Sequence, residues 1–197
     1  MILAQGDYRY EIRRSGELLA IEEERVDGRK LSGIRRSPDG ANRHEVEAEL
    51  DDEDRIWKVA VRYARGPFTR TASYEAVGEF LRGSVSALAG SNDVAAKLGR
   101  FREVDADLVL FRALTIAHVW ARGQARWTGR VAAIDPNTLV AASQKQSCRR
   151  RDGEGRLWEY ELRMGDSEEI EIDAAGRIVR RRDSRATDTV LISAAGA

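Results

Sequence analysis

The chain has 197 residues, enough for one domain with a substantial buried interior. Its 33 basic residues balance 33 acidic ones, so no overall field attracts nucleic acid or anionic lipid, and no nucleic-acid partner is expected. The single cysteine, Cys148, excludes an intrachain disulfide and a cysteine-based metal cluster. Neither a leader nor a transmembrane run stands out, so we expect a soluble, cytoplasmic protein.

The first half of the chain alternates apolar and polar residues at the two-residue spacing of half-buried strands. In the second of these strands, Leu19 and Ile21 are predicted to face inward, and the run Glu22–Glu24 is assigned to the outer face. Turn signals such as Asp27-Gly28 separate the strands. The predicted strands are Tyr8–Arg13, a strand through Leu19 and Ile21, Lys30–Arg36, His44–Leu50, Ile56–Tyr63, Phe68–Val77 and Glu79–Val85.

Small and polar residues then gather at Ala87–Asn92, which predicts a loop. Beyond it, the helical spacing of Val94, Ala95, Leu98 and Phe101 predicts a short amphipathic helix.

The long apolar run Asp107–Trp120 is the centre of the predicted fold. It is apolar on nearly all sides, which is typical of a buried helix, and it is too short to span a bilayer, which takes about 20 residues. Asp105 and Asp107 precede the run, where acidic side chains favour the start of a helix. The sequence therefore predicts one buried helix with strands around it.

Strands return after Gly123, separated by turns at Asp135-Pro136-Asn137 and at further glycines. The last residues, Ser193–Ala197, are predicted to be a frayed tail. The predicted strands are Arg126–Ile134, Thr138–Arg149, Leu157–Met164, Glu169–Asp173 and Arg177–Arg182.

Two segments share the order aromatic, charged, Tyr, Glu, aliphatic, Arg: Tyr8–Arg13 and Trp158–Arg163. The similarity is equally compatible with a repeat and with chance. We expect a single domain over residues 1–197. If the repeat is real, its halves are 7–86 and 124–192, on either side of a helical segment at 93–120.

Few residues are arranged for chemistry. His44 and His118 lie in different elements without ligand spacing, so we expect no metal site, and no cofactor of another kind is indicated. Cys148 stands beside basic residues that could activate a thiol, yet a lone strand cysteine is usually inert. The arginine triplets at 149–151 and 180–182 favour salt bridges with Glu-rich strands over a phosphate clamp. No catalytic residue is predicted.

Arg112, Thr115 and His118 form a single polar stripe on the predicted helix, which ends at Trp120. If the stripe faces the inside of a curled sheet, these four residues are candidates for ligand binding, because apolar pockets orient ligands with a few polar groups. Arg112 is the candidate for a head group, since its guanidinium can hold a phosphate or carboxylate in two bonds. If the stripe faces solvent, it is the exposed edge of a core helix.

The closing hairpin has the form Trp-x-Tyr-Glu-Leu…Glu-Ile-Asp-x-x-Gly-Arg-Ile-Val within Leu157–Arg180. With Val104–Trp120 and Val131–Leu139, it resembles the bacterial family of glycolipid-binding proteins and the open barrels similar to periplasmic lipoprotein carriers. The chain departs from the first group at Phe111–Thr115, where a polar, proline-containing loop is expected, and from the second by lacking a leader. The resemblance implies the fold and an apolar ligand, and it assigns no functional residue.

The predicted fold is therefore mainly β: a strongly curved antiparallel sheet or open half-barrel of roughly nine to eleven strands around the helical segment 107–120. The predicted function is non-enzymatic binding of an apolar or amphipathic, lipid-like ligand in the concave face. A scaffold with a filled core and an enzyme with a dispersed site are the alternatives. Large apolar residues predicted to line the interior are Trp57, Phe68, Tyr74, Phe80, Trp120, Trp127 and Trp158.

Overall fold

The protein is one antiparallel sheet of fifteen strands wrapped around one helix, as seen in a computed structural model that describes residues 3–87, 90–99, 102–163 and 166–196. The strands before the helix are β1 (Gly6–Arg14), β2 (Glu17–Asp27), β3 (Lys30–Arg36), β4 (Asn42–Leu50), β5 (Ile56–Arg65), β6 (Phe68–Val77), β7 (Phe80–Ala87), β8 (Gly90–Lys97) and β9 (Val104–Asp105). The helix α1 (Val109–Ala121) precedes β10 (Arg126–Ile134), β11 (Ala141–Arg150), β12 (Leu157–Arg163), β13 (Asp166–Ile172), β14 (Ile178–Asp183) and β15 (Thr187–Ala195).

Neighbouring strands in the sheet are mostly neighbours in the chain. The order runs from β8 back to β1, then from β15 back to β9, so the pairing of β1 with β15 joins the two halves. Every pairing is antiparallel except that of β9 with β10. Because β8 and β9 are end strands, no backbone ladder among the described residues closes the sheet into a barrel.

The sheet nevertheless curls far enough for β8 to contact β10 and β11. Side chains span this seam: the Tyr74 hydroxyl donates to the Leu139 carbonyl at 2.5 Å and accepts from the Ala141 amide at 3.2 Å. The Ser143 hydroxyl donates to the Lys97 carbonyl at 2.9 Å. The seam is thus held by individual hydrogen bonds rather than by a strand pairing.

Helix α1 fills the concave interior, and nearly all of its side chains are buried. Leu108, just before it, lies so close to the sheet that a Cβ on Gly33 would stand 2.5 Å from its Cδ1. Glycine in the middle of β3 therefore makes room for the start of the helix. In the described part of the chain, no helix has the length and apolarity needed to cross a membrane.

The structure confirms the predicted fold class: a mainly β, curved, open sheet surrounds one buried helix in the segment 107–120. The bounds of Lys30–Arg36, Phe68–Val77 and Arg126–Ile134 are confirmed to the residue. The predicted strand count is too low, because the sequence pattern predicts no strand at β8, β9 or β15.

The short amphipathic helix predicted around Val94 and Leu98 is wrong. These residues belong to or follow β8, which begins at Gly90 inside the predicted loop, while Phe101 and residues 88–89 lie outside the described residues. Four apolar residues over eight positions fit a strand and a helix about equally well, and hydrogen bonding to β7 decides for the strand.

The predicted inward face of β2 is also wrong. The register between β1 and β2 shifts where Ile12 pairs with Ala20 and Arg13 with Leu18, which leaves Leu19 as an extra, bulged residue. Burial alternates without interruption across this position, and the even-numbered residues from Leu18 to Val26 face the interior. Glu22 and Glu24 therefore point into the interior, where they are fully buried, and Leu19 is partly exposed.

The predicted frayed tail is a strand as far as Ala195, since β15 pairs with β1 along its length. Among the aromatic residues predicted to face inward, Tyr74, Trp127 and Trp158 are buried. The others are substantially exposed, because they lie at strand ends or at the end of α1: Trp57, Phe68, Phe80 and Trp120.

Candidate functional site in a buried charged cluster

The start of helix α1 is capped by carboxylates from β2. The first amides of a helix lack partners within the helix, and a side-chain acceptor usually comes from the residue before it. Here the residue before the helix is Leu108, which has no such acceptor. Instead the Val109 amide donates to Glu22 Oε1 and the Leu110 amide to Glu24 Oε1, each at 2.7 Å.

The predicted cap by Asp105 and Asp107 is therefore wrong. Asp105 accepts from the Asp107 amide at 2.9 Å and from Gln146 Nε2 at 3.1 Å. It therefore stabilises the segment that precedes the helix rather than the first helical turn.

The two carboxyl groups of β2 are coupled by a hydrogen bond between them. Burial and the adjacent Glu22 charge raise the pKa of Glu24 well above its usual range. Burial alone would also raise the pKa of Glu22, but the Arg35 charge and the hydrogen bond from Glu24 outweigh it and hold this pKa below its usual range. Between the two pKa values the pair carries one proton, on Glu24, and one charge, on Glu22.

A single row of directly paired residues carries the cluster across five strands. In an antiparallel sheet, residues paired in this way have Cα atoms about 4.5–5.5 Å apart, so their side chains meet on one face. The row runs from β1 to β5 through Tyr10, Glu22, Arg35, His44 and Tyr63.

Arg35 links this row to the segment that leads into the helix. Its Nε donates to Glu22 Oε2 at 2.7 Å and its Nη1 to Asp107 Oδ2 at 2.8 Å, while Nη2 also reaches the Asp107 carbonyl. The Asp107 side chain is 37% exposed, so the cluster reaches solvent at this point. Burial alone would raise the pKa of Asp107, but the charges of Arg35, Arg181 and Arg112 hold it below its usual range.

Two further basic side chains near Asp107 are nine-tenths buried with polar atoms that lack hydrogen bonds. His44 is 6% exposed, and neither ring nitrogen has a hydrogen-bond partner among the described residues. Arg181 is 8% exposed, and its Nη1 lacks a hydrogen bond, with Glu168 Oε1 3.8 Å away. Buried polar atoms are seldom left in this state, which makes this part of the cluster unusual.

The predicted ligand residue Arg112 lies deeper, on the inner side of the same cluster. Its Nε donates to Glu168 Oε2 at 3.2 Å, its Nη1 forms an ion pair with Asp105, and its guanidinium lies 5.3 Å from the centre of the Tyr160 ring. The Tyr160 hydroxyl in turn donates to Gln146 Oε1 at 2.8 Å. Arg112 faces the interior, as the ligand-binding interpretation of the polar stripe requires. There it is paired with carboxylates of its own chain.

The other predicted ligand residues lie farther along α1. Thr115 and His118 face the interior. Thr115 donates to Glu103 Oε2 at 3.2 Å, and His118 contacts Glu103 Oε1 at 2.9 Å and the Asp54 carbonyl at 3.0 Å. Trp120 is partly exposed, with its ring centre 6.4 Å from that of Trp158. The structure thus brings Thr115 and His118 to Glu103, whereas Arg112 is paired with Asp105 and Glu168. Ligand contact by Arg112, Thr115, His118 and Trp120 stays a prediction.

The remaining sequence candidates have structural partners. Arg149 and Arg151 both bind Glu159, and Arg180 and Arg182 both bind Asp188, which is the predicted salt-bridge arrangement. Burial raises the pKa of the Cys148 thiol to about 12, so its basic neighbours do not activate it.

A cavity of about 20 Å3 lies between α1 and the sheet, beside Tyr10, Leu110 and Ala113. That is room for about one water molecule. A hollow of about 590 Å3 beside Glu23, Arg25 and Glu45 lies on the outer, polar face of the sheet.

Sequence reasoning missed most of this cluster. Glu22 and Glu24 were assigned outward, Arg35 was not singled out, and His44 was weighed only as a metal ligand. One signal was available: Arg35 and His44 fall at facing positions across the Pro38-Asp39-Gly40 turn, which places two basic side chains on one face.

Comparison with known proteins supports the fold. No family model matches the chain, and no curated protein matches it significantly. Among solved structures, it is similar to a crystal structure of a DUF1089 family protein from Pseudomonas aeruginosa, with a TM-score of 0.63 and 19% sequence identity. The match covers 85% of this chain and 90% of that one, so the similarity extends over nearly the whole sheet and helix.

Proposed function

We propose that this protein binds an apolar or amphipathic, lipid-like ligand between the concave face of its sheet and helix α1, without catalysis. The observation that carries the proposal is the charged opening at Arg35 and Asp107 in a concave face that is otherwise mainly apolar. Ligand sites typically combine apolar walls with a few polar groups that fix orientation.

The construction of the sheet supports the same function. Binding requires the helix to move away from the strands, because the cavity beside Leu110 and Ala113 is far smaller than a ligand. The seam gives the sheet a way to widen, since side-chain hydrogen bonds from Tyr74 and Ser143 hold it instead of a ladder. Opening it costs a few hydrogen bonds, each with a net contribution of about 0.5–1.5 kcal/mol.

Two measurements test the proposal. Native mass spectrometry before and after organic extraction is expected to show an added mass that extraction removes. Titration of extracted protein with an environment-sensitive fluorescent fatty acid is expected to give saturable binding. Absence of both the added mass and saturable binding would exclude the function.

A pair of variants locates the binding. Ala113→Met adds bulk between α1 and the first strands, so it is expected to weaken binding of the fluorescent probe. Ala121→Met makes the same change at the exposed end of the helix and is expected to have no effect. Equal effects from the two variants, with equal thermal stability, would place any bound probe outside the concave face.

The filled interior favours a second candidate, a scaffold or interaction protein without a small ligand. Helix α1 packs against the sheet on nearly all sides, as in an ordinary closed core. If extracted protein binds neither a fatty acid nor a phospholipid analogue, this second function takes the place of the first.

A further inference from the structure

Asp107 occupies the mouth of the charged cluster in an uncommon conformation. Its φ is +60°, in the left-handed region that few residues other than glycine adopt. Arg35 holds both its carboxylate and its carbonyl, so the side chain is fixed although it is partly exposed. An exposed carboxylate of the chain itself is thus the group bound by a largely buried arginine.

The surroundings of this carboxylate offer more donors than it uses. Arg181 and His44 both act electrostatically on Asp107, and both are nine-tenths buried with polar atoms that lack hydrogen bonds. Burial and the Arg35 charge lower the pKa of His44, which keeps the ring neutral with one N–H to donate. Arg181 has only the distant Glu168 oxygen, at 3.8 Å, for its Nη1.

We propose that the anionic group of a ligand, a carboxylate or a phosphate monoester, displaces the Asp107 carboxylate and is bound by Arg35, Arg181 and His44. The inference rests on the proposed function and names the head group of the amphipathic ligand. Asp107 serves as the internal stand-in for that head group in the ligand-free protein.

The chemistry of the site favours exchange over simple addition. An extra anion would add to the negative charges of Glu22 and Glu168, whereas replacing Asp107 by a carboxylate leaves the charge of the cluster unchanged, and replacing it by a phosphate monoester adds at most about one negative charge. A guanidinium binds carboxylate and phosphate through two parallel hydrogen bonds, and a compact anion can approach donors that a tethered aspartate cannot reach. A cationic head group has no place beside three arginines.

The test compares a fluorescent fatty acid with its uncharged methyl ester, using extracted protein. In Asp107→Asn the residue keeps its shape and tolerates the left-handed conformation but loses its charge. The affinity for the acid is expected to rise about tenfold relative to the ester, because a charged internal competitor becomes a neutral one. In Arg181→Gln the affinity for the acid is expected to fall about tenfold, again without change for the ester.

Arg182→Gln is the matched control, because Arg182 is the exposed neighbour of Arg181 and binds Asp188. It is expected to leave both affinities as in the wild type. If Arg181→Gln fails to fold by circular dichroism, the gain of affinity in Asp107→Asn decides alone, since a purely structural Asp107 would not produce it.

The outcomes separate the two proposals. Equal binding of acid and ester in every variant would overturn the head-group site and leave the proposed function standing. Binding of neither probe and of no inorganic phosphate, by the wild type and by Asp107→Asn, would overturn both. Inorganic phosphate is titrated alone as a third arm: if Asp107→Asn strengthens its binding while no lipid probe binds, the anion site stands and its source is a free anion.

Discussion

Two regions of the sheet hold the central helix with the same three residue types on three successive strands. The first grip is Tyr10, Glu22 and Arg35 on β1–β3, and the second grip is Tyr160, Glu168 and Arg181 on β12–β14. The tyrosine pairs directly with the glutamate in both grips. In the first, however, the glutamate accepts from the helix backbone, and in the second from a helix side chain, Arg112.

The difference separates two tasks. A contact to the Val109 amide fixes where the helix begins, whatever its side chains are, while a contact to Arg112 fixes which face of the helix turns toward β12–β14. The two grips also differ in the distance between their glutamate and arginine side chains. Glu22 lies 2.7 Å from Arg35, but Glu168 lies 3.8 Å from Arg181, which leaves the second arginine underused.

The largest effect is expected from breaking the first grip. Glu22→Ala leaves the Val109 amide without its buried acceptor and Arg35 with Asp107 alone, so the free energy of unfolding should fall by about 3–5 kcal/mol. Glu168→Ala should cost less, because Arg112 keeps Asp105 and no helix amide loses an acceptor. Urea denaturation of both variants measures the difference. A larger loss of stability for Glu168→Ala would show that the second grip contributes more to the free energy of unfolding than the first.

Apolar packing between the grips provides a reference. Leu114 is buried in the middle of α1, and Leu114→Ala should lower the free energy of unfolding by about 2–5 kcal/mol. Leu19→Ala, at the partly exposed bulge of β2, should cost less than about 1 kcal/mol. Chemical denaturation of the pair checks this. Similar losses at both sites would mean that Leu114 contributes little to the core.

A change at the seam loosens the sheet without touching either grip. Tyr74→Phe removes a buried hydroxyl that bonds the Leu139 carbonyl and the Ala141 amide, so a loss of about 1–3 kcal/mol is expected. Arg70→Gln, which removes an exposed contact to the Asn137 carbonyl on the same seam, should cost less than about 0.5 kcal/mol. Hydrogen exchange of the Ala141 amide should accelerate in Tyr74→Phe alone.

The smallest effect at neutral pH is expected from Glu24→Gln, because the raised pKa favours the protonated carboxyl group and glutamine likewise keeps a donor and an acceptor. The loss should be under about 1 kcal/mol. Since the pKa of Glu24 is raised in the folded protein, folding takes up a proton above the usual value of 4.5. Stability conferred by this group therefore falls as pH rises from about 4.5 toward the raised pKa.

The pH series distinguishes the two glutamates of β2. Glu24→Gln should remove that decline from the stability curve, while the contribution of Glu22, whose pKa is lowered, should still be lost as pH falls below 4.5. Thermal unfolding from about pH 2 to pH 9 records both. A decline that persists unchanged in Glu24→Gln must come from another group.

The fold was predictable where a pattern is local and long. The apolar run 107–120 is too apolar for an exposed helix, and clean alternation predicted strands such as His44–Leu50. Prediction failed where the most apolar residues do not mark the buried face, as in β2, and where the pairing partner is distant in sequence, as for the tail on β1. The charged cluster depends on both, since its carboxylates lie on the buried face of β2 and cap a helix some 86 residues later.

The pairing of β1 with β15 sets an order on assembly during synthesis. Asp7 pairs with Ala195, so the first strand made must wait for the last before the sheet is complete. The strands of the first half and helix α1 leave the ribosome well before β12–β14, which lets Glu22 bind the start of the helix while Glu168 is still untranslated. We therefore expect contacts of Glu22 to be formed in the transition state for folding, and those of Glu168 to form late.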